Sequence, residues 1–167
     1  MRRPRMRLPK GSVLIGLIVA TMAAAQPASG QELAPKRTTL VANNMTGAQV
    51  VPGPGDPDGF GTARLPNDAA IGRICWDVHT NLVDVPLTGS LIHSGAAGQT
   101  GTVVLQLFGE VNDPNPSGCR TADTQLLRDL NQKSREFYLE ISNFAYPSGA
   151  IRGQLDHEPF DGTTATQ

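Results

Sequence analysis

The chain has 167 residues and a formal net charge of −1, room for one domain with a proper core, since single domains cluster around roughly 100 to 150 residues. Arg2, Arg3, Arg5, Arg7 and Lys10 precede an uncharged apolar run from Val13 to Ala25, and loss of that segment would take five positive charges from −1 and leave −6. The basic residues that remain are scattered along an acidic chain, which excludes the clustered Lys and Arg that nucleic-acid binding needs to displace counterions from phosphates.

A basic start followed by a short apolar run has the form of a signal peptide over residues 1–30. Cleavage before Gln31, behind Ala28 and Gly30, is preferred over cleavage before Gln26. The run falls short of the roughly 20 apolar residues that a spanning helix needs, so the mature chain is expected to have no membrane span and to be secreted or held in the periplasm or cell envelope. An exported chain with an even number of cysteines, Cys75 and Cys119, is expected to pair them, because oxidising compartments keep disulfides intact. Two free thiols are the alternative. On the loop-entropy model such a bridge would stabilise the fold by about 4 kcal/mol.

Residues 31–38, with Pro35, and 157–167, rich in Gly and Thr, read as flexible tails around a domain over 39–156. Inside it apolar residues recur mostly with period two between clusters of Gly, Pro, Asn and Asp, which marks half-buried strands separated by turns. Strands are expected near Thr39–Asn43, Gln49–Val51, Gly59–Leu65, Gly72–His79, Pro86–His93, Thr102–Phe108, Glu136–Ser142 and Ala150–Leu155. Pro52 to Gly61, crowded with Pro and Gly, is a wide loop. Ile74, Trp76 and Val78 share one strand face, as do Val103, Leu105 and Leu107, and Phe137, Leu139 and Ile141. These sets should supply facing core layers. Leu126, Leu127 and Leu130 instead have helical spacing, which predicts a short helix within Ala122–Arg135, capped near Thr121, with its leucines covering an open end of a sandwich.

The chemistry-bearing residues are few. His79, His93 and His157 invite a metal reading, since neutral imidazole binds copper and zinc. None has a partner His two residues on, so no metal or other cofactor is assigned, and His93, His79 and Asp77 stand as the candidate ligands with Asp84 as a further one. His93 beside Ser94 does not make a nucleophile and base, because adjacent strand residues point to opposite faces, and no G-x-S-x-G elbow surrounds Ser94. The run Gly95-Ala96-Ala97-Gly98-Gln99-Thr100-Gly101 lacks the Lys of a phosphate-binding loop and reads as a turn. Asn44-Met45-Thr46 is a glycosylation sequon for a host that uses it. No catalytic residue is assigned.

Three stretches carry a resemblance: Gly47-Ala48-Gln49-Val50-Val51-Pro52, Ile92-His93-Ser94-Gly95-Ala96-Ala97-Gly98, and Ala145-Tyr146-Pro147-Ser148-Gly149-Ala150-Ile151-Arg152-Gly153-Gln154-Leu155. Together they resemble the CHRD domain family over roughly Thr39 to Leu155, with His93, Gly95, Gly98, Tyr146, Pro147, Gly149, Arg152 and Gly153 as the motif positions. The resemblance implies an immunoglobulin-like β-sandwich, similar to that of copper-zinc superoxide dismutases, and cysteines at the places of Cys75 and Cys119. Some members of the family carry further histidines where this chain has Leu91 and Ser142, which leaves His93 alone.

The fold expected is therefore all-β, an immunoglobulin-like or superoxide-dismutase-like antiparallel sandwich with one short helix. In the terminal motif Pro147 and Gly149 should turn the chain into a hairpin, with Ile151 and Leu155 on one side and Arg152 and Gln154 on the other. Arg152 is expected to be solvated or structurally paired, as a surface Arg in a strand ordinarily is, with a carboxylate on a neighbouring strand or on a partner as the alternative contact. The function expected is non-enzymatic binding or structural association with an extracellular protein, a matrix polymer or a second copy, against the alternative of a metal-binding or superoxide-dismutating sandwich.

Overall fold

The structure, a computed structural model, describes residues 37–158. The expected signal peptide and most of both expected tails lie outside them. Period-two alternation resolves into nine strands: β1 (Thr38–Thr46), β2 (Phe60–Asp68), β3 (Arg73–Asn81), β4 (Leu87–Ser94), β5 (Val103–Phe108), β6 (Ser117–Thr121), β7 (Phe137–Asn143), β8 (Ile151–Gln154) and β9 (Asp156–His157). One helix, α1 (Thr124–Gln132), lies between β6 and β7. The domain reaches slightly beyond its expected bounds, since Thr38 opens β1 and His157 closes β9.

The strands run in the order β5-β4-β7-β8-β1-β2-β3-β6, with β9 added to β1, and every pairing is antiparallel. The hydrogen-bonded path turns from one layer to the other between β8 and β1, where a single pair, Thr46 with Arg152, joins them. A register shift between Ala42 and Met45 interrupts β1 beside this junction, and Asn44, exposed within it, takes φ 59°, a conformation that Asn tolerates better than most residues. The two edges nearly meet: Arg120 of β6 donates to the carbonyl of Gln106 in β5, and the Trp76 and Phe108 rings lie 6.0 Å apart. The all-β sandwich with one helix is thus what the chain forms, as a sheet almost closed into a barrel.

Leu40, Leu65, Ile74, Val78, Leu139, Ile141, Ile151 and Leu155 are fully buried between the layers, and Trp76 packs on them half-buried. Leu127 and Leu130 of α1 are fully buried in the same core, so the helix covers one end as expected. Reciprocal amide bonds between Asn67 and Asn131 fasten it to β2.

Four expectations need correction. Gln49 to Val51 form no strand; Gly47–Gln49 is a 3-10 turn leading into the Pro-Gly loop. The helix is capped by Asp123, whose carboxylate accepts from Leu126 N at 2.9 Å, because Thr121 is still paired with Arg73 at the end of β6. β6 itself was not legible, since Ser-Gly-Cys-Arg-Thr has no apolar alternation. On β5 only Leu107 of the expected core set is buried, and Val103 is 53% exposed; two register shifts in the β4–β5 pairing disrupt its alternation at this sheet edge.

Cys75 and Cys119 are directly opposed on β3 and β6 and joined by a disulfide, which holds a short edge strand with little buried surface of its own. Replacing both with Ala is expected to lower stability by about 2–4 kcal/mol in urea denaturation; an unchanged midpoint would show that the bridge adds nothing to the fold.

Candidate functional site

On β4, β7 and β8 the residues facing away from the core are directly opposed in pairs: His93 with Tyr138, Leu91 with Glu140, and then Tyr138 with Gln154, Glu140 with Arg152. This face would ordinarily be wet. Instead Tyr138 is 2% and Arg152 only 1% exposed, because the segment 95–101 between β4 and β5 folds back over it.

The side chains beneath hold that segment. The Tyr138 ring is the centre: His93 stacks on it from β4, with centroids 4.7 Å apart and planes 10° from parallel, and the Arg152 guanidinium reaches it from β8, its Cζ 3.4 Å from the ring centroid. A cation over an aromatic face gains most where water is excluded. Arg152 Nη2 donates to the Ala96 carbonyl at 3.1 Å, Gln154 Nε2 to the Gly95 carbonyl at 2.9 Å, and Gly101 N to the Tyr138 hydroxyl at 3.2 Å. His93 Nδ1 lies 3.2 Å from the Gly101 carbonyl, which can only accept, so this nitrogen carries the proton. Gly95 takes φ 149°, and a Cβ there would sit 3.2 Å from the Tyr138 ring.

Glu140, also buried, supplies the negative charge of the cluster. Burial pushes its carboxyl above the ordinary range, more than His93 and Arg152 pull it down. Burial likewise pushes Arg152 down, opposed by Tyr138 and Glu140. Gly149 makes room for the carboxylate: at φ 123°, a Cβ there would fall 2.8 Å from Glu140 Cδ. His93 Nε2 stands 3.8 Å from Glu140 Oε1, too far for a hydrogen bond, and this nitrogen and Arg152 Nη1 are buried without a hydrogen-bond partner among the described residues.

The other candidates lie elsewhere. His79 and Asp77 form a pair 3.5 Å apart on the exposed side of β3, in the other layer from His93, and Asp84 precedes β4, which His93 nearly ends. Among the described residues no group of three His, Cys, Asp or Glu side chains could hold a metal ion, and the candidates His93, His79 and Asp77 are not brought together. His93 and Ser94 diverge as expected, Ser94 Oγ meeting Thr102 Oγ1 at 3.1 Å.

The last motif forms the expected hairpin, with Ile141 opposite Ile151. In its turn the Tyr146 carbonyl accepts from Gly149 N at 3.1 Å, and Asn143 Oδ1 accepts from Tyr146 N at 2.8 Å, with Pro147 between. A family model for the CHRD domain matches residues 41–155.

The chain belongs to the CHRD domain family. No curated protein and no solved structure matches it significantly. In this CHRD domain the central and terminal motifs, far apart in sequence, are two halves of one device: the first supplies His93 and the segment with Gly95 and Gly98, the second supplies Arg152 and Gln154, with Gly153 on the core side opposite Leu139. Sequence reading missed Tyr138 and Glu140, which alternate with core residues and so read as an exposed face. The available signal was that such a face held a phenol and a carboxylate opposite an Arg.

The Glu140 shift gives a pH test. A carboxyl raised in the folded state favours folding while protonated, and that contribution is lost as pH rises through its folded value. The stability difference between wild type and Glu140→Gln is therefore expected to turn against wild type as pH rises above about 4.5. A difference independent of pH would mean that Glu140 is not desolvated.

Proposed function

We propose that this CHRD domain is an exported, non-enzymatic module for binding or structural association with an extracellular protein or matrix polymer. The observation that carries the reading is the use made of the motif's polar groups. Arg152, Gln154, Tyr138 and His93 turn inward to hold one backbone segment in place, the work of a scaffold that presents loops. The disulfide and family membership are consistent with an extracellular setting, and among the described residues no helix is long and apolar enough to cross a membrane.

A second reading, metal binding with superoxide-dismutase-like chemistry, has one observation in its favour. With Nδ1 donating to the Gly101 carbonyl, His93 aims Nε2 toward Glu140 Oε1 at 3.8 Å. Two ligands fall short of the three or four that protein zinc sites supply, and the Arg152 guanidinium beside them repels a cation.

Elemental analysis separates the two. Full-length protein made through an oxidising compartment, without chelator or a histidine tag, is expected to carry copper, zinc, iron and manganese far below one ion per chain. Near-stoichiometric metal that disappears in His93→Ala would overturn the binding-module reading in favour of the metal one.

A further inference from the structure

The two ends of the sandwich differ. One is covered by α1. At the other, four connections lie side by side: the Pro-Gly loop before β2, the link from β3 to β4, the loop from β5 to β6, and the turn from β7 to β8. Pairing of Phe60 with Asn81 and of Leu87 with Asn143 brings their strand ends together. Hydrogen bonds then tie the loops to one another and to the strand ends: Asp56 N to the Ala150 carbonyl at 2.8 Å and Leu87 N to the Val111 carbonyl at 2.9 Å, and Asn143 Nδ2 to the Asp84 carbonyl at 3.2 Å.

These loops carry Asp56, Asp58, Asp84, Glu110 and Asp113 and no Lys or Arg. Between residues 37 and 158 there are thirteen acidic and eight basic residues, so the remaining eight acids are matched in number by the bases and this end holds the entire excess of five. Ion pairs such as Arg37 with Asp68, Arg64 with Glu158 and Arg135 with Asp156 lie away from it. Asp56 is buried, and burial and the neighbouring Asp58 both push its carboxyl upward.

The same end is apolar. Phe60 (47%), Leu82 (66%), Val85 (46%) and Phe144 (69%) are four of the six large hydrophobic residues exposed among the described residues. Leu82 also takes φ 57°, a left-handed conformation that is a strained outlier for a bulky residue. A strained leucine held out in water gains nothing for the fold. Asp56, Asp58, Leu82, Asp84 and Tyr146 line one open pocket of about 380 Å³.

We infer that this loop end docks an extended polypeptide segment in which Lys or Arg alternates with apolar residues. The basic groups would meet the uncompensated carboxylates and the apolar ones Leu82 and Phe144. A second copy of residues 37–158 is a poor occupant, because outside this end their acids and bases balance and leave no cationic excess to offer. The inference rests on the binding-module reading and gives that module a partner chemistry.

The test is calorimetric titration of the full-length protein with a short synthetic peptide of repeated Lys-Leu-Ser, with repeated Glu-Leu-Ser as control and calcium chloride alone as a third titrant. The expected result is saturable binding of the Lys peptide only, weakened by salt. It should be weakened at least about tenfold in Asp58→Asn/Asp84→Asn, whose side chains are exposed, and in Leu82→Gly. The Gly variant keeps or raises Tm, since Gly accepts this backbone conformation without strain, so lost binding there cannot be lost folding. No binding by wild type, equal binding by the variants, or a response to calcium alone would each overturn the inference. None of these results touches the binding-module reading, which falls on metal content instead.

Discussion

A buried guanidinium organises this domain. Arg152 sits where the sheet passes from one layer to the other, paired with Thr46 across the junction and with Glu140 on its other side. Removing a charge from water is costly unless geometry and hydrogen bonds compensate. Here the compensation comes from the Tyr138 ring, the Glu140 carboxylate and the Ala96 carbonyl. They come from two separate parts of the chain, β7 and the 95–101 segment, so an Arg on β8 at this place requires that segment, β7 and the β8 hairpin to be assembled together. In this chain the stretches 92–98 and 145–155 are the sequence trace of that requirement.

The consequence is a division of labour along the sandwich. A His, a Tyr and an Arg hold the folded-back segment, with a buried Glu beside them. The opposite end, whose loops are joined mainly through backbone hydrogen bonds, keeps four of its five carboxylates and several apolar side chains outward. Binding residues placed on loops above a rigid sheet are a common arrangement, and here the sheet is stiffened by a cross-strand disulfide at one edge and a buried ionic cluster near its junction.

Much of the fold was legible because period-two alternation reports burial directly: β3, with Ile74 and Val78 inward, and β7, with Leu139 and Ile141 inward, were read correctly. β6 was not, because an exposed edge strand has no apolar face to betray it, and Gln49 to Val51 misled because a few residues of suitable composition alternate by chance. Of the site, His93 and Arg152 were visible through the family resemblance, but the burial of Arg152 was not, since a lone Arg in a strand ordinarily faces water. Nor could the acidic end be read along the chain: its five carboxylates come from three separated segments and meet only through strand register.

The central claim, that the buried cluster around Arg152 holds the 95–101 segment in place, is tested most directly by amide hydrogen exchange. Arg152→Met combined with Glu140→Gln removes the guanidinium without leaving a carboxylate alone in the interior. The account predicts that the amides of Gly95 and Gly101 lose about tenfold or more of their protection while those of Leu139 and Ile141 keep theirs. Unchanged protection at Gly95 and Gly101 in that variant would contradict it.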